Sequence, residues 1–371
     1  MAFKLTNDQG VLKESLRKVF GDLCPSSRVF ENWRNKICWD KELWNCLTAD
    51  GWLGIAVPES DGGTGLDVGE LVLLAEECGF SGAVGPVVET ALAGKFIAAM
   101  DVSRARERLL SSITQSGARA AFGLSLPWSR DGHGIAFGVQ GKSIGGVLTL
   151  NGTCRFTPWA NCADFFLVEA VIDGRSQLCL IERKQDGIEI RDLETIDPGT
   201  SWSNVTLSNV TVTSECLLRT LPTEASTSLI VLTSAGLLGA AKRCLQLTID
   251  YAKVRKQFGR EIGSFQAVQH LCADMFCGIE NMEPAVRFAA ACTAAGSKRA
   301  AYFASVARLY AEEAATMIWT NALQIHGGIG FSWEHELHIF LKRILSLQAQ
   351  YGSIDFYREC VAGSGPAFAA A

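Results

Sequence analysis

Charge is scarce in this chain. Only 20% of its 371 residues are charged, and 34 basic against 39 acidic side chains leave a net charge of −5. That balance argues against nucleic acid as a partner, which a basic surface would attract. No run of about eighteen apolar residues occurs, so a membrane span is not expected. The opening stretch, MAFKLTNDQGVLKESLRK, carries charges where a signal peptide needs an apolar run, and the expected location is cytoplasmic. Cysteine is plentiful at 13, but no C-x-x-C pair exists. This excludes a short-chain disulfide framework and a clustered zinc site. Cys24, Cys38, Cys46, Cys78, Cys244, Cys272, Cys277 and Cys292 sit in helical-looking apolar context and are expected as small buried thiols. Internal repeats and low-complexity linkers are also missing.

What is present is apolar patterning in three blocks, in a chain long enough for two or three domains. Residues 1–116 read as a helical domain, with Leu12, Leu16, Val19 and Phe20, then Leu71, Leu74 and Cys78, at helical spacing. A Pro58–Gly65 loop separates two of these helices. Residues 117–218 change to short β-branched or alternating runs such as GGVLTLNGTCRF, DFFLVEAVI and SNVTLSNVTVT, the mark of antiparallel strands in a sandwich or barrel. Residues 219–362 return to long helices with broad apolar stripes, which predicts a four-helix bundle. Its first helix is expected to run through VRKQFG, and the tail from 363 to 371 to be disordered. The fold class is α+β multidomain.

Two segments carry the chemistry. Gln324 to Arg343, QIHGGIGFSWEHELHIFLKR, breaks two amphipathic segments with Gly327, Gly328 and Gly330. Glycines let backbone approach a ligand closely, and a helix start behind them offers N–H groups to an anion. Upstream lies Tyr251 to Met275, YAKVRKQFGREIGSFQAVQHLCADM. Together they resemble the paired flavin-binding segments of the acyl-CoA dehydrogenase family. Leu47 to Glu77, LTADGWLGIAVPESDGGTGLDVGELVLLAEE, is similar to that family's N-terminal block, and Asn151 to Asp164, NGTCRFTPWANCAD, to its middle-domain strand pair. The order of the four blocks is the family's, and in relatives the Pro58–Gly65 loop lies near the acyl-CoA channel.

The resemblance implies FAD as cofactor. Arg255, Gln257 and Phe258 match residues that hold the ADP half of FAD in a neighbouring subunit, and Gln266 matches one near the same cofactor. A guanidinium suits a bidentate grip on a pyrophosphate, although Arg255 at a helix end also complements the helix dipole. Gln324, Gly327 and Gly328 match the segment that reaches across a subunit interface to the adenosine phosphates, which implies an oligomer. On the flavin-facing strands Phe156 keeps the family's aromatic. Cys154 stands for the usual Lys and Pro158 where a hydroxyl is often found, which leaves Thr157 to supply the hydroxyl. SLPWSRDGHG, Ser125 to Gly134, replaces the family's acidic-Gly-Ser-Asp loop. His335 and His338 are three apart with no third ligand cluster, unlike the HExxH zinc pattern, and no metal site is expected.

The family reaction removes a substrate α-proton with a glutamate while hydride leaves the β-carbon for the flavin. The resemblance places that glutamate at Tyr351, near Leu229 or nearer Gly236, and none is acidic. Glu224 is the closest carboxylate, expected before the helix and facing solvent. The catalytic base is therefore unassigned. The chain reads as a subunit for α,β-desaturation of an acyl-CoA thioester, paired in an α2β2 assembly with a homologous acyl-CoA dehydrogenase subunit that carries the base, with electron-transfer flavoprotein or a similar acceptor. The alternatives are a homotetramer with altered flavin chemistry, or a catalytically silent partner that regulates an active paralogue.

Overall fold

The computed structural model describes residues 4–124, 138–144 and 147–363. The expected tail, from 364 on, and the Ser125–Gly134 replacement lie outside the described residues. The helical block starts with α1 (Asn7–Leu23), α2 (Ser26–Arg34) and α3 (Lys41–Ala49). It continues with α4 (Val68–Ser81), α5 (Val87–Ala98) and α6 (Arg104–Ser116). Capping boxes start α1 at Thr6 with Gln9 and α4 at Asp67 with Glu70. Gly82, at φ 71°, stops α4. The expected loop folds back on its neighbours: a Cβ at Gly63 would meet the Val57 carbonyl at 2.1 Å. Glu76 and Glu77 on α4 are fully buried yet paired. Glu76 accepts from Lys13 at 2.8 Å and Lys242 at 2.7 Å, and Glu77 binds Arg17 at 2.6 and 2.8 Å. These pairs tie α4 to α1 and to the long helix that follows the sheet.

The middle block is one seven-stranded sheet. Its strands are β1 (Ala120–Gly123), β2 (Val139–Ile144), β3 (Val147–Pro158), β4 (Phe165–Ile172), β5 (Arg175–Glu182), β6 (Ile188–Leu193) and β7 (Trp202–Val212). The pairs β2–β3, β3–β7, β7–β6 and β4–β5 are antiparallel, but β4 runs parallel to both β1 and β2. The sheet is therefore mixed, a correction to the purely antiparallel expectation. A tight turn joins β4 to β5 and forces antiparallel pairing there, whereas β1 and β2 pair with β4 without being next to it in sequence. The Asp173-Gly174 turn, with both φ positive, has the geometry that matches strand twist. Leu150, Phe166, Cys179, Ile181 and Val205 fill the inner face.

The C-terminal block contains α7 (Pro222–Val254), α8 (Gln266–Ala294), α9 (Ala300–His326), α10 (Leu337–Gln348) and α11 (Ile354–Ala362). By length and composition α7 passes for a membrane span, although no unbroken apolar run marks it; 89% of that window is buried among neighbouring helices. Two expectations need correcting. Helix α7 ends at Val254 instead of running through VRKQFG, because β8 (Lys256–Gln257) and β9 (Arg260–Glu261) form a hairpin about a Phe258-Gly259 turn of positive φ. Glu224 lies inside the first turn of α7, exposed as expected. The thiol expectation also fails in part. Cys38 lies in the α2–α3 loop, half-buried, and Cys277 on α8 is exposed.

Candidate functional site

Two places in this fold combine chemistry with geometry. The first is the end of the bundle where α7 and α9 finish together. The Tyr251 ring stacks on His326 with centroids 4.5 Å apart at 16°, and His335 meets both rings edge-on. That stack brings Arg255, four residues past Tyr251, to the same end as Gly327, next after His326. Arg255, Gln257, Phe258, Gln266, Gln324, Gly327 and Gly328 are all exposed. Phe258 is 92% exposed, its ring edge-on to Phe265 with centroids 6.1 Å apart. The Arg255 backbone caps α7 by donating to the Tyr251 carbonyl, while its guanidinium has no ion-pair partner among the described residues. A Cβ at Gly327 or Gly328 would meet nothing within 4 Å. Exposed guanidinium, primary amides and uncovered backbone form a donor set suited to a diphosphate.

His335 and His338 do not share a face. Helix α10 starts only at Leu337, so His335 belongs to the preceding turn, where its Nδ1 accepts from the Leu337 N–H. His338 points the other way, among Phe30, Trp33 and Trp333. Among the described residues no group of three His, Cys, Asp or Glu is placed to hold a metal ion.

On the sheet, a bulge between Cys154 and Thr157 reshapes the end of β3. Phe156 takes φ 50° there, 40% exposed, with its N–H donating to Asn204 Oδ1 at 3.2 Å. Its ring lines a cavity of about 450 Å³ with Trp202, Leu193, Ile196, Leu345 and Ala349. Largely apolar walls and one aromatic face fit a flat ring system. Thr157 faces inward at 2% exposure, its hydroxyl 3.5 Å from the Cys154 carbonyl.

The second place lies between α4, α5, α7 and α10. Glu89 lines a small cavity there with Cys78, Trp159, Leu229, Gly236 and Gln350. Its carboxylate is 7% exposed and accepts from Trp159 Nε1 at 3.1 Å. Burial pushes the Glu89 carboxyl up to about 7, against the smaller effect of its hydrogen bonds. Beside it the Tyr351 hydroxyl is buried with no hydrogen-bond partner among the described residues. Burial first, then the charge of Glu89, raises that phenol well above its usual range. Arg343 closes the wall, held by Asp197 at 2.6 Å and by the Ala83 carbonyl at 2.8 Å.

The description of the acyl-CoA dehydrogenase N-terminal domain matches residues 6–116, and that of the C-terminal domain matches residues 231–364. The chain belongs to the acyl-CoA dehydrogenase family. It is 29% identical to acyl-CoA dehydrogenase IpdE2 of Mycobacterium tuberculosis over 82% of this chain and 80% of that protein. FadE34 of the same organism is also 29% identical, over 80% of this chain but only 38% of its own length. Among solved structures, the ChsE4-ChsE5 complex from Mycobacterium tuberculosis superposes with a TM-score of 0.87 at 25% identity, covering 98% of each chain.

Membership makes this second cavity informative. The positions matched to the family's glutamate, near Leu229, nearer Gly236 or at Tyr351, converge on it, the first two in its lining and the third beside Gln350. Sequence reasoning listed these as vacant and missed Glu89. A signal existed: Glu89 is the lone acid of α5, in a stretch from Val87 to Gly94 that is nearly all buried.

Proposed function

We propose that this chain is a subunit of an FAD-dependent acyl-CoA dehydrogenase that desaturates an acyl-CoA thioester between its α and β carbons, paired with a homologous subunit. The observation that carries this is the uncovered end of the bundle. Seven residues matched to a cofactor site stand exposed there. A site completed by a neighbour accounts for that exposure, and the assembly of the ChsE4-ChsE5 relative supports a homologous neighbour.

The flavin, when bound, supplies an acceptor for the hydride. Arg255 neutralises the pyrophosphate, and Gln257, Gln266 and Gln324 offer amides to the ADP half. Gly327 and Gly328 leave backbone free to approach phosphate oxygens, while Phe258 covers the adenine end. Phe156 presents an aromatic face to the isoalloxazine. Thr157 is turned inward and supports that loop from behind, so its hydroxyl reaches the flavin only if the bulge opens. The acceptor of the reducing equivalents is electron-transfer flavoprotein or a similar carrier. With the usual base positions non-acidic, the proton goes either to the partner's glutamate or to a carboxylate elsewhere in this chain.

Expressing the chain alone and with a homologous dehydrogenase subunit, then measuring bound FAD and assembly mass, tests this. Flavin near one-half per chain, only in the mixed assembly, is the expected result. Flavin near one per chain in a homo-oligomer would favour a homotetramer. Colourless protein in every combination would leave only a regulatory partner.

A further inference from the structure

Two of the 13 thiols are hydrogen-bonded to each other, although they belong to different blocks of the chain. Cys38 lies in the loop between α2 and α3, and Cys162 in the connection between β3 and β4. Both connections are held from outside the pair. Arg183 donates to the carbonyls of Ala160 and Asn161 at 2.9 Å and of Ala163 at 3.2 Å. Asp40 accepts from Arg28 and Asn32, and the Arg119 guanidinium lies 4.2 Å from the Trp39 ring.

The two sulfurs differ in access. Cys162 is 8% exposed, whereas Cys38 is half-buried and, with Asn161, lines a cavity of about 500 Å³. Arg34, Lys36, Lys342, Asp192 and Glu194 are the charged groups of that lining. Arg34, Lys36 and Trp333 are exposed, so the cavity is open to small polar molecules. The sulfurs differ in proton affinity too. The bond from Cys162, and after it the loop's backbone and the Asn161 side chain, lower the Cys38 thiol against the cost of its burial. The same bond and burial raise Cys162. Burial also raises Cys24, Cys78, Cys154, Cys179 and Cys244. Cys38 is instead pushed towards its reactive thiolate.

We infer that Cys38 is a modification site for peroxides, and that Cys162 resolves the modified sulfur into a disulfide. The Cys38 thiolate attacks one oxygen of hydrogen peroxide. An S–O bond forms, the O–O bond breaks, and hydroxide leaves with Cys38 oxidised to a sulfenic acid. The Cys162 sulfur then attacks that of Cys38. An S–S bond forms, the S–O bond breaks, and the departing hydroxide takes the Cys162 proton as water. Together the two thiols give up two electrons and two protons, and one peroxide becomes two waters. Burial keeps Cys162 from the oxidant and leaves it to Cys38 alone. The link fastens the α2–α3 loop to the connection that follows β3, the strand carrying Phe156. Its cavity shares Leu193, Ile196 and Trp202 with the one that Phe156 lines.

Peptide mapping of the native, fully reduced chain after brief exposure to hydrogen peroxide tests this. The expected product is a Cys38–Cys162 disulfide that dithiothreitol reverses, formed before Cys277 is oxidised although Cys277 is the more exposed thiol. At pH 7 the activated Cys38 should react about tenfold faster than an ordinary exposed thiol. In Cys162→Ala the sulfenic acid should persist at Cys38 and be trapped by dimedone. In Cys38→Ser, Cys162 should stay reduced. Oxidation of Cys277 ahead of Cys38 would overturn the proposal, and so would a wild-type Cys38 that is oxidised without joining Cys162. The wild-type map needs no substitution, so a variant that fails to fold leaves both of those outcomes readable.

Discussion

Around Glu89 the chain buries its polar groups, while around Arg255 it leaves them bare. At the first place a carboxyl and a compensated guanidinium line a small cavity between helices of one chain, with Trp159 and Thr200. At the second, a guanidinium, three amides and two glycines stand in the open. A buried site acts through desolvation, which shifts proton affinities and strengthens each contact. An open one acts only once something covers it. The difference teaches that one chain can desolvate an acid by its own packing while leaving a set of polar donors bare.

The largest effect that sharpens this contrast comes from the buried side, through pH. Glu89 has an ordinary value of 4.5 and titrates at about 7 in the fold, a gap worth roughly 3 kcal/mol. Between those values the folded chain keeps a proton that the unfolded chain has released, so stability falls as pH rises. The contribution is fully present below 4.5 and lost once pH has passed about 7. Glu283, held near 2 by Lys242 and Arg287 despite burial, acts with the opposite sign but below this window. Glu89→Gln cannot titrate. Its thermal midpoint should therefore gain on the wild type as pH is raised from about 5 to 8, and parallel curves would show that Glu89 is not desolvated.

The open side should respond in ligand affinity alone. Arg255→Ala removes a charge-assisted phosphate contact and is expected to cost roughly 1.5–3 kcal/mol of FAD affinity. The ligand-free chain should stay within about 0.5 kcal/mol of the wild type, since the exposed guanidinium has no ion pair to lose among the described residues. Equilibrium FAD titration beside a denaturant melt separates the two. Unchanged FAD retention would place the cofactor elsewhere.

Much of the open side was legible in sequence, and little of the buried side. Gly327, Gly328 and the VRKQFG segment are local signals, and one Tyr251–His326 stack suffices to join them. Glu89 is different: its burial depends on Leu229, Gly236 and Trp159, which are far away in the chain and close only in the fold. Helix–strand–helix order was readable from period alone, whereas strand direction was not. Period reports which face a residue takes and says nothing about whether a crossover or a hairpin brings the strand to its neighbour. The end of α7 was misplaced because Lys256 and Gln257 suit a helix as well as a hairpin, and only the positive φ of Phe258 and Gly259 decides.

The smallest expected effect gives the cleanest separation of ligand from fold. Gly330 and Gly328 are two residues apart in one turn, yet they answer to different demands. A Cβ on Gly330 would lie 3.0 Å from His326 Cβ and 3.1 Å from Leu323 Cδ2, so its glycine is required by packing. A Cβ on Gly328 would meet nothing within 4 Å, and its φ is not in the left-handed region. Gly328→Ala should therefore leave the ligand-free chain as stable as before or better by up to about 1 kcal/mol, through the unfolded state. If phosphate oxygens approach that backbone from a neighbouring subunit, the same methyl group must weaken FAD binding, by about 1 kcal/mol for one lost contact. Gly330→Ala should show the reverse pattern, with stability reduced before any cofactor is added. Equal FAD affinity in wild type and Gly328→Ala would mean that this glycine answers to no ligand, and the open end would then be a protein contact without a phosphate in it.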